Sequence, residues 1–181
     1  LAATLRVGQT LSEAEVADLC RRDQAQRAYE RALRFLSYRP RSVDEVARYL
    51  ASGHVPENLV AETVARLSED GLLDDDAFAR FWVENRTSFR PRGPAALRYE
   101  LRRRGVDDAT IDRATQDLDE VEAAYRAARA QALRLRGTDR DTFRSRLWGY
   151  LSRRGFPYET VRETVERLWR ERSSGEDAAL E

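Results

Sequence analysis

The chain has 181 residues, 35% of them charged, and its 32 basic side chains balance 32 acidic ones to a formal charge of zero. That length fits one or two domains of roughly 100–200 residues, or one elongated repeat array. Its longest apolar runs, such as Phe81-Trp82-Val83, are three residues; a membrane span takes about 20 and a secretory leader roughly 7–15, so neither is expected.

In chain order, residues 1–27 read as an N-terminal extension. An opening Thr4-Leu5-Arg6-Val7 leads to a short helix capped at Ser12 with Glu15 at the fourth place, positioned to cover the exposed end of the next group of helices. On it Cys20 reads as a small buried hydrophobe. Over 28–37, Tyr29, Leu33 and Leu36 share one helical face. Ser42 and Glu45 form a second capping box ahead of Val46, Tyr49 and Leu50. Pro56 opens a third helix as a first-turn proline, Leu59, Val60, Thr63, Val64 and Leu67 continue it, and Gly71 stops it. Asp74, Asp75 and Asp76 come next, better read as caps for the next helix than as metal ligands. No segment alternates with a period of two, so the fold class is all-α.

An internal repeat organises these helices. Around Leu50 stand Val46, Val55, Val60 and Leu67; the same offsets around Leu101 give Leu97, Val106, Ile111 and Leu118, and around Leu151 they give Leu147, Phe156, Val161 and Leu168. Gly105 and Gly155 also correspond. The prediction is three tandem three-helix repeats, 28–73, 74–119 and 120–172, with third helices starting near Val55, Val106 and Phe156 and a disordered tail over 173–181. Units this short are expected to need neighbours to complete their cores, stacking into an elongated, curved, solenoid-like rod. No methionine occurs, so the sequence is read as starting after its initiator, and Leu180-Glu181 as a native end or a cloning remnant.

Chemistry-bearing residues are few. One cysteine, Cys20, excludes an internal disulfide and fits a reducing, cytoplasmic setting. With one histidine, His54, cysteine–histidine zinc sites and histidine-based triads lack members. Glycine-rich phosphate loops are missing. We therefore expect no catalytic residue, metal or cofactor. Trp82, Trp148 and Trp169 sit at helical spacing with apolar neighbours and read as core.

Every basic residue is arginine; codon bias explains this simply, while guanidinium forks would also suit phosphate or carboxylate partners. The charge is unevenly spread. Residues 28–75 carry a net −3 and residues 121–172 a net +6; 80–104 hold eight arginines against Glu84 and Glu100, and 126–154 hold nine against Asp139 and Asp141. Arg98, Arg102, Arg103 and Arg104 recur in register as Arg153 and Arg154. A basic edge repeated in stacked units would form a stripe suited to a polyanion. The alternative is internal pairing, for which Asp107, Asp108, Asp112 and Asp117 supply partners and Glu100 could meet Arg104.

The runs Ala32-Leu33-Arg34-Phe35-Leu36-Ser37-Tyr38-Arg39-Pro40-Arg41-Ser42 and Gly71-Leu72-Leu73-Asp74-Asp75-Asp76-Ala77-Phe78-Ala79 resemble the RecX family, regulators of the RecA recombinase. So do Gly93-Pro94 to Leu101, Arg104-Gly105-Val106 and Arg153-Arg154-Gly155-Phe156, in the family's order over about residues 5–172. The resemblance implies a non-enzymatic monomer that lodges in the groove of the RecA filament on single-stranded DNA, limiting filament growth, strand exchange and ATP hydrolysis. It implies contact with single-stranded DNA, and with double-stranded DNA as a further option, directly or through the filament. Candidate contact residues are Arg90, Arg92, Arg98, Arg102, Arg103, Arg104, Arg144, Arg146, Arg153 and Arg154. Rival readings are a helical-repeat protein binding DNA without the recombinase, and a peptide-binding helical scaffold with an apolar groove.

Overall fold

The computed structural model describes residues 9–177, and among them the secondary structure is helical throughout. The helices are α1 (Glu13–Leu36), α2 (Val43–Ser52), α3 (Glu57–Glu69), α4 (Asp75–Phe89), α5 (Pro94–Arg102), α6 (Asp108–Thr115), α7 (Glu120–Arg134), α8 (Arg140–Ser152) and α9 (Tyr158–Asp177). The expected opening segment 4–7 and the end at 180–181 lie outside the described residues.

Local chemistry sets most of the helix starts. Ser12 with Glu15 and Ser42 with Glu45 form reciprocal capping boxes. Asp107, Asp119 and Asp139 cap α6, α7 and α8 by accepting the amides of Thr110, Glu122 and Thr142. Pro56 stands at the N-cap of α3, one place earlier than expected, and Pro94 opens α5. The third helices begin two residues after Val55, Val106 and Phe156, because the turn before each must first reverse the chain.

In that turn the residue preceding Val55, Val106 or Phe156 adopts a left-handed conformation. Gly105 (φ 77°) and Gly155 (φ 81°) do so freely, whereas the equivalent place in the first group holds His54 (φ 61°), which carries a steric penalty.

Two expectations about helix extent are corrected. The helix starting after Ser12 does not end before residue 28 but runs unbroken to Leu36. Neither glycine nor proline interrupts it, and Asp18–Arg22 (2.6 Å) and Asp23–Arg27 (2.8 Å) brace successive turns. Its first half is largely solvent-exposed, Cys20 included, contrary to the buried role expected. At the other end α9 continues past residue 172 to Asp177; a last helical turn needs no apolar periodicity to persist.

The chain divides into two compact units, Leu1–Asp74 and Asp75–Glu181. The first holds α1–α3 around Ala32, Val46, Leu50, Val60, Leu67 and Leu73. The second holds two cores. One, from α4–α6, includes Phe78, Val83, Leu97, Leu101 and Ile111; the other, from α7–α9, includes Phe143, Leu147, Leu151, Val161 and Leu168. The repeat-defining apolar residues are all buried except Val55 and Leu118, which are half-buried. Each three-helix group closes its own core, where the sequence suggested that neighbours would complete it. Small residues explain how: Ala123, Ala124, Ala127 and Ala128 let α7 lie close against α8 and α9.

Arginine–aromatic packing recurs. Guanidiniums lie over rings in Arg31–Tyr49, Arg41–Phe35, Arg66–Tyr29, Arg104–Trp82, Arg154–Tyr150 and Arg167–Tyr125, at 3.6 to 4.8 Å from the centroids. A planar cation stacks in this way better than an ammonium. Part of the arginine-only composition is thus used inside the fold. A matched clamp joins first and third helices in two groups: Tyr29 donates to Asp70 under Arg66, and Tyr125 donates to Glu171 under Arg167.

Candidate functional site

Within the unit Asp75–Glu181 the arginines fall into different environments. Those of α5 are tied to acids. Arg98 pairs with Asp112, and Arg102 with Asp108 at 2.6 Å, both across to α6. The bond to Asp108 holds the Arg102 guanidinium above its usual pKa. Glu100, largely shielded from solvent, is a hub: it accepts from Trp82 Nε1 (2.9 Å) and Arg86 Nε (2.7 Å), and lies 3.7 Å from Arg92. Arg104 stacks on Trp82 and donates to the Glu100 backbone carbonyl at 2.7 Å, so the contact that spacing suggests is made to the main chain. Arg103 is exposed beside Tyr99. Internal pairing therefore absorbs much of the basic window 80–104.

The α7–α8 arginines differ. Arg144 and Arg146 on α8 and Arg153 at its C-cap are exposed, and among the described residues no acid pairs with them. The same holds for Arg90 after α4, and for Arg134, Arg136 and Arg140, which belong to the basic window 126–154 although its clustering alone did not single them out as contacts. The two acids of that window are committed to the start of α8: Asp139 caps it, and Asp141 lies in its first turn. Hydrogen bonds from the Thr142 amide and hydroxyl hold the Asp139 carboxyl below its ordinary pKa, so it stays ionised as a cap.

Two glycines bring distant candidates together. The Gly93 amide donates to the Arg154 carbonyl at 2.9 Å, and a Cβ on Gly93 would stand 2.2 Å from the Gly155 carbonyl oxygen. A Cβ on Gly155 would in turn stand 2.5 Å from the Ala96 nitrogen. Backbone therefore meets backbone between the α4–α5 loop and the α8–α9 turn. Arg154 completes the seam by donating to the Pro91 carbonyl at 3.3 Å while stacking on Tyr150. Arg90 and Arg92 on one side thus neighbour Arg153 and Arg154 on the other. The offsets in sequence matched Arg153 and Arg154 to the α5 arginines, but spatially the seam pairs them with the loop before α5.

The tryptophans are half-buried rather than fully enclosed. Trp82 is covered by Arg86 and Arg104, and Trp169 carries Arg172 on its ring and meets Phe143 edge-on. Trp148 meets the exposed Tyr158 edge-on at 4.8 Å. Asp75 and Asp76 lie in the first turn of α4, and Asp76 also receives Arg113 of α6 at 2.7 Å. Among the described residues no helix is long and apolar enough to cross a membrane.

Family models place this architecture. The first, second and third three-helix domains of RecX match residues 28–67, 74–114 and 118–176. The chain belongs to the RecX family. Its relatives include the Regulatory protein RecX of Streptomyces coelicolor, 38% identical over 80% of this chain and 81% of that protein. The Chlorobium phaeobacteroides protein of the same name is 33% identical over 80% of this chain and 95% of its own length. That of Geobacillus kaustophilus is 32% identical over 87% of this chain, which spans only 60% of that relative. A crystal structure of regulatory protein RecX superposes with a TM-score of 0.77 at 27% identity, covering 92% of this chain and 84% of the other.

Proposed function

We propose that the chain regulates the RecA recombinase, as a cytoplasmic monomer without enzymatic activity of its own. In this reading it lodges in the groove of the RecA–single-stranded DNA filament and limits filament growth, strand exchange and ATP hydrolysis. Family membership supports the regulatory role. The observation that carries the contact mode is the segregation of arginines: those of α5 have internal acids, whereas Arg90, Arg144, Arg146 and Arg153 have none among the described residues. Guanidiniums left without protein carboxylates are suited to phosphate.

The test is recombinase ATPase on single-stranded DNA with increasing amounts of this protein. Dose-dependent inhibition is expected; an unchanged rate at saturation refutes the proposal. Binding to single strands should weaken with log salt at a slope of about −0.7 per phosphate contact. A second reading, DNA binding without the recombinase, draws on the same unpaired arginines. Tight binding to bare DNA with no effect on the ATPase would select it.

A further inference from the structure

Arg144 stands between two clefts. On one side Phe143, Trp169, Arg140 and Arg170 surround a hollow of about 200 Å³ between α8 and α9, with Glu166 at its rim. On the other, Trp148, Tyr158, Ser145 and Asp141 line a more open hollow of about 330 Å³. Arg144 contributes to both.

The walls are informative. Trp148 and Tyr158 meet at an interplanar angle of 67°, leaving a flat-walled corner, and Tyr158 is 62% exposed. A tyrosine ring that exposed, beside a tryptophan, adds little to the core. Trp82, by contrast, is covered by two guanidiniums and hydrogen-bonded to Glu100, whereas no described arginine stacks on Trp148. The cations at the rim, Arg140, Arg144 and Arg170, outnumber Asp141 and Glu166, and neither carboxylate pairs with them among the described residues.

We propose that these clefts take successive bases of a single-stranded nucleic acid, with Arg144 on the phosphate between them. The order aromatic cleft, guanidinium, aromatic cleft matches the order base, phosphate, base along one strand. Double-stranded nucleic acid keeps its base faces stacked on one another and offers phosphates and groove edges, but no free base face. An acidic peptide carries its charges at side-chain tips, where no flat ring accompanies each of them. Trp148 and Tyr158 supply the more open stacking corner; Trp169, partly covered by Arg172, supplies the narrower one. This inference deepens the proposed function and rests on it for the strand being the one held in the filament.

The experiment titrates the full chain with an oligothymidylate of about 15 nucleotides, close to the span of a single-strand binding site. Tryptophan fluorescence is the readout, and an abasic oligonucleotide of equal length is the control. Binding should quench fluorescence, and Trp148→Phe and Trp169→Phe should each remove part of the quenching while Trp82→Phe leaves it. Tyr158→Ala and Arg144→Ala, both at exposed positions, should each weaken binding roughly five-fold or more. The abasic strand should bind more weakly and quench little. Equal binding of the abasic strand, quenching unchanged in Trp148→Phe, or equally effective competition by polyglutamate overturns the assignment.

The same variants are assayed on recombinase ATPase. ATPase inhibition without quenching by DNA sinks the clefts and spares the regulatory reading; quenching without inhibition does the reverse.

Discussion

Gly155→Ala tests the seam on which the juxtaposition of Arg90, Arg92, Arg153 and Arg154 depends. Two separate penalties arise. At φ 81° any Cβ is strained, costing about 1–2 kcal/mol. The added methyl would also stand 2.5 Å from the Ala96 nitrogen and 2.8 Å from its Cβ, so backbone must shift, at about 1–3 kcal/mol more. Gly137→Ala separates the two: Gly137 has φ 85° but no atom within 4 Å of a Cβ, so only the first penalty applies. All three tryptophans lie in the unit Asp75–Glu181, so denaturant unfolding followed by tryptophan fluorescence reports that unit alone. Gly155→Ala should lose about 2–5 kcal/mol and Gly137→Ala about 1–2. Losses equal within about 0.5 kcal/mol would refute a close backbone contact at Gly155. Gly93→Ala, on the opposite side and without a left-handed φ, should show the contact penalty together with the smaller cost of alanine at the N-cap of α5.

Further outcomes are expected. His54→Gly should stabilise the unit Leu1–Asp74 by about 0.5–1 kcal/mol, because relief of the left-handed strain exceeds the entropy glycine adds to the unfolded chain; far-UV circular dichroism would show it, and destabilisation refutes it. Thr164 is fully buried and its hydroxyl has no partner among the described residues, so Thr164→Val should raise stability by about 1 kcal/mol, and a loss would reveal a hydrogen bond made by that hydroxyl. Asp107 and Asp139 are held below their ordinary pKa by the amides and hydroxyls of Thr110 and Thr142, so the unfolded chain protonates first. The stability they contribute is present at neutral pH and drains as pH falls below about 4, and Asn at both positions should flatten that acid limb of the unfolding midpoint. Tyr29 and Tyr125 are raised by their bonds to Asp70 and Glu171, so their contribution holds below about pH 10 and is lost as pH climbs through the raised values. Ultraviolet titration should show two late phenolates that vanish in Tyr29→Phe and Tyr125→Phe.

The fold was legible because its signals are local and repeated. Ser42 with Glu45, Pro56, Gly71 and the apolar offsets around Leu50, Leu101 and Leu151 each act within a few residues, so reading them along the chain suffices. The length of α1 was not legible from apolar spacing, since its first half stands on ion pairs and alanines instead. The arginine environments were harder. Sequence shows that Asp108 and Asp112 are within reach of α5, but not that Arg102 and Arg98 take them. It gives no sign that Gly93 and Gly155 touch, because that contact joins backbone atoms 62 residues apart and leaves no periodic trace. The openness of the Trp148–Tyr158 corner was hidden for a similar reason: helical spacing places Trp148 beside Leu151 without saying how much of its ring stays uncovered.

The formal neutrality of the chain then takes a physical meaning, because availability depends on what each arginine would leave behind. Arg90, Arg144, Arg146 and Arg153 leave no described acid when they meet a phosphate. Arg98 and Arg102 have partners, but exposed ion pairs contribute little, so an arriving phosphate could exchange for Asp112 or Asp108 at small cost. Arg92 and Arg104 are different. Arg92 lies with Arg86 on the Glu100 carboxylate, whose side chain is only 18% exposed, so drawing it away would leave that carboxylate less compensated. Arg104 is held by the Trp82 ring and the Glu100 carbonyl. Arg154 is held by Tyr150 and the Pro91 carbonyl, and moving it would open the seam itself. Equal numbers of acids and bases are thus compatible with a polyanion partner, provided the acids lie where they lock some arginines and not others. In the second group Asp108 and Asp112 of α6 hold the arginines of α5, while in the third Glu122 of α7 and Glu171 of α9 are taken by Arg167. Among the described residues, the arginines that no carboxylate pairs are then chiefly those of α8, Arg144 and Arg146, with Arg153 at its C-cap.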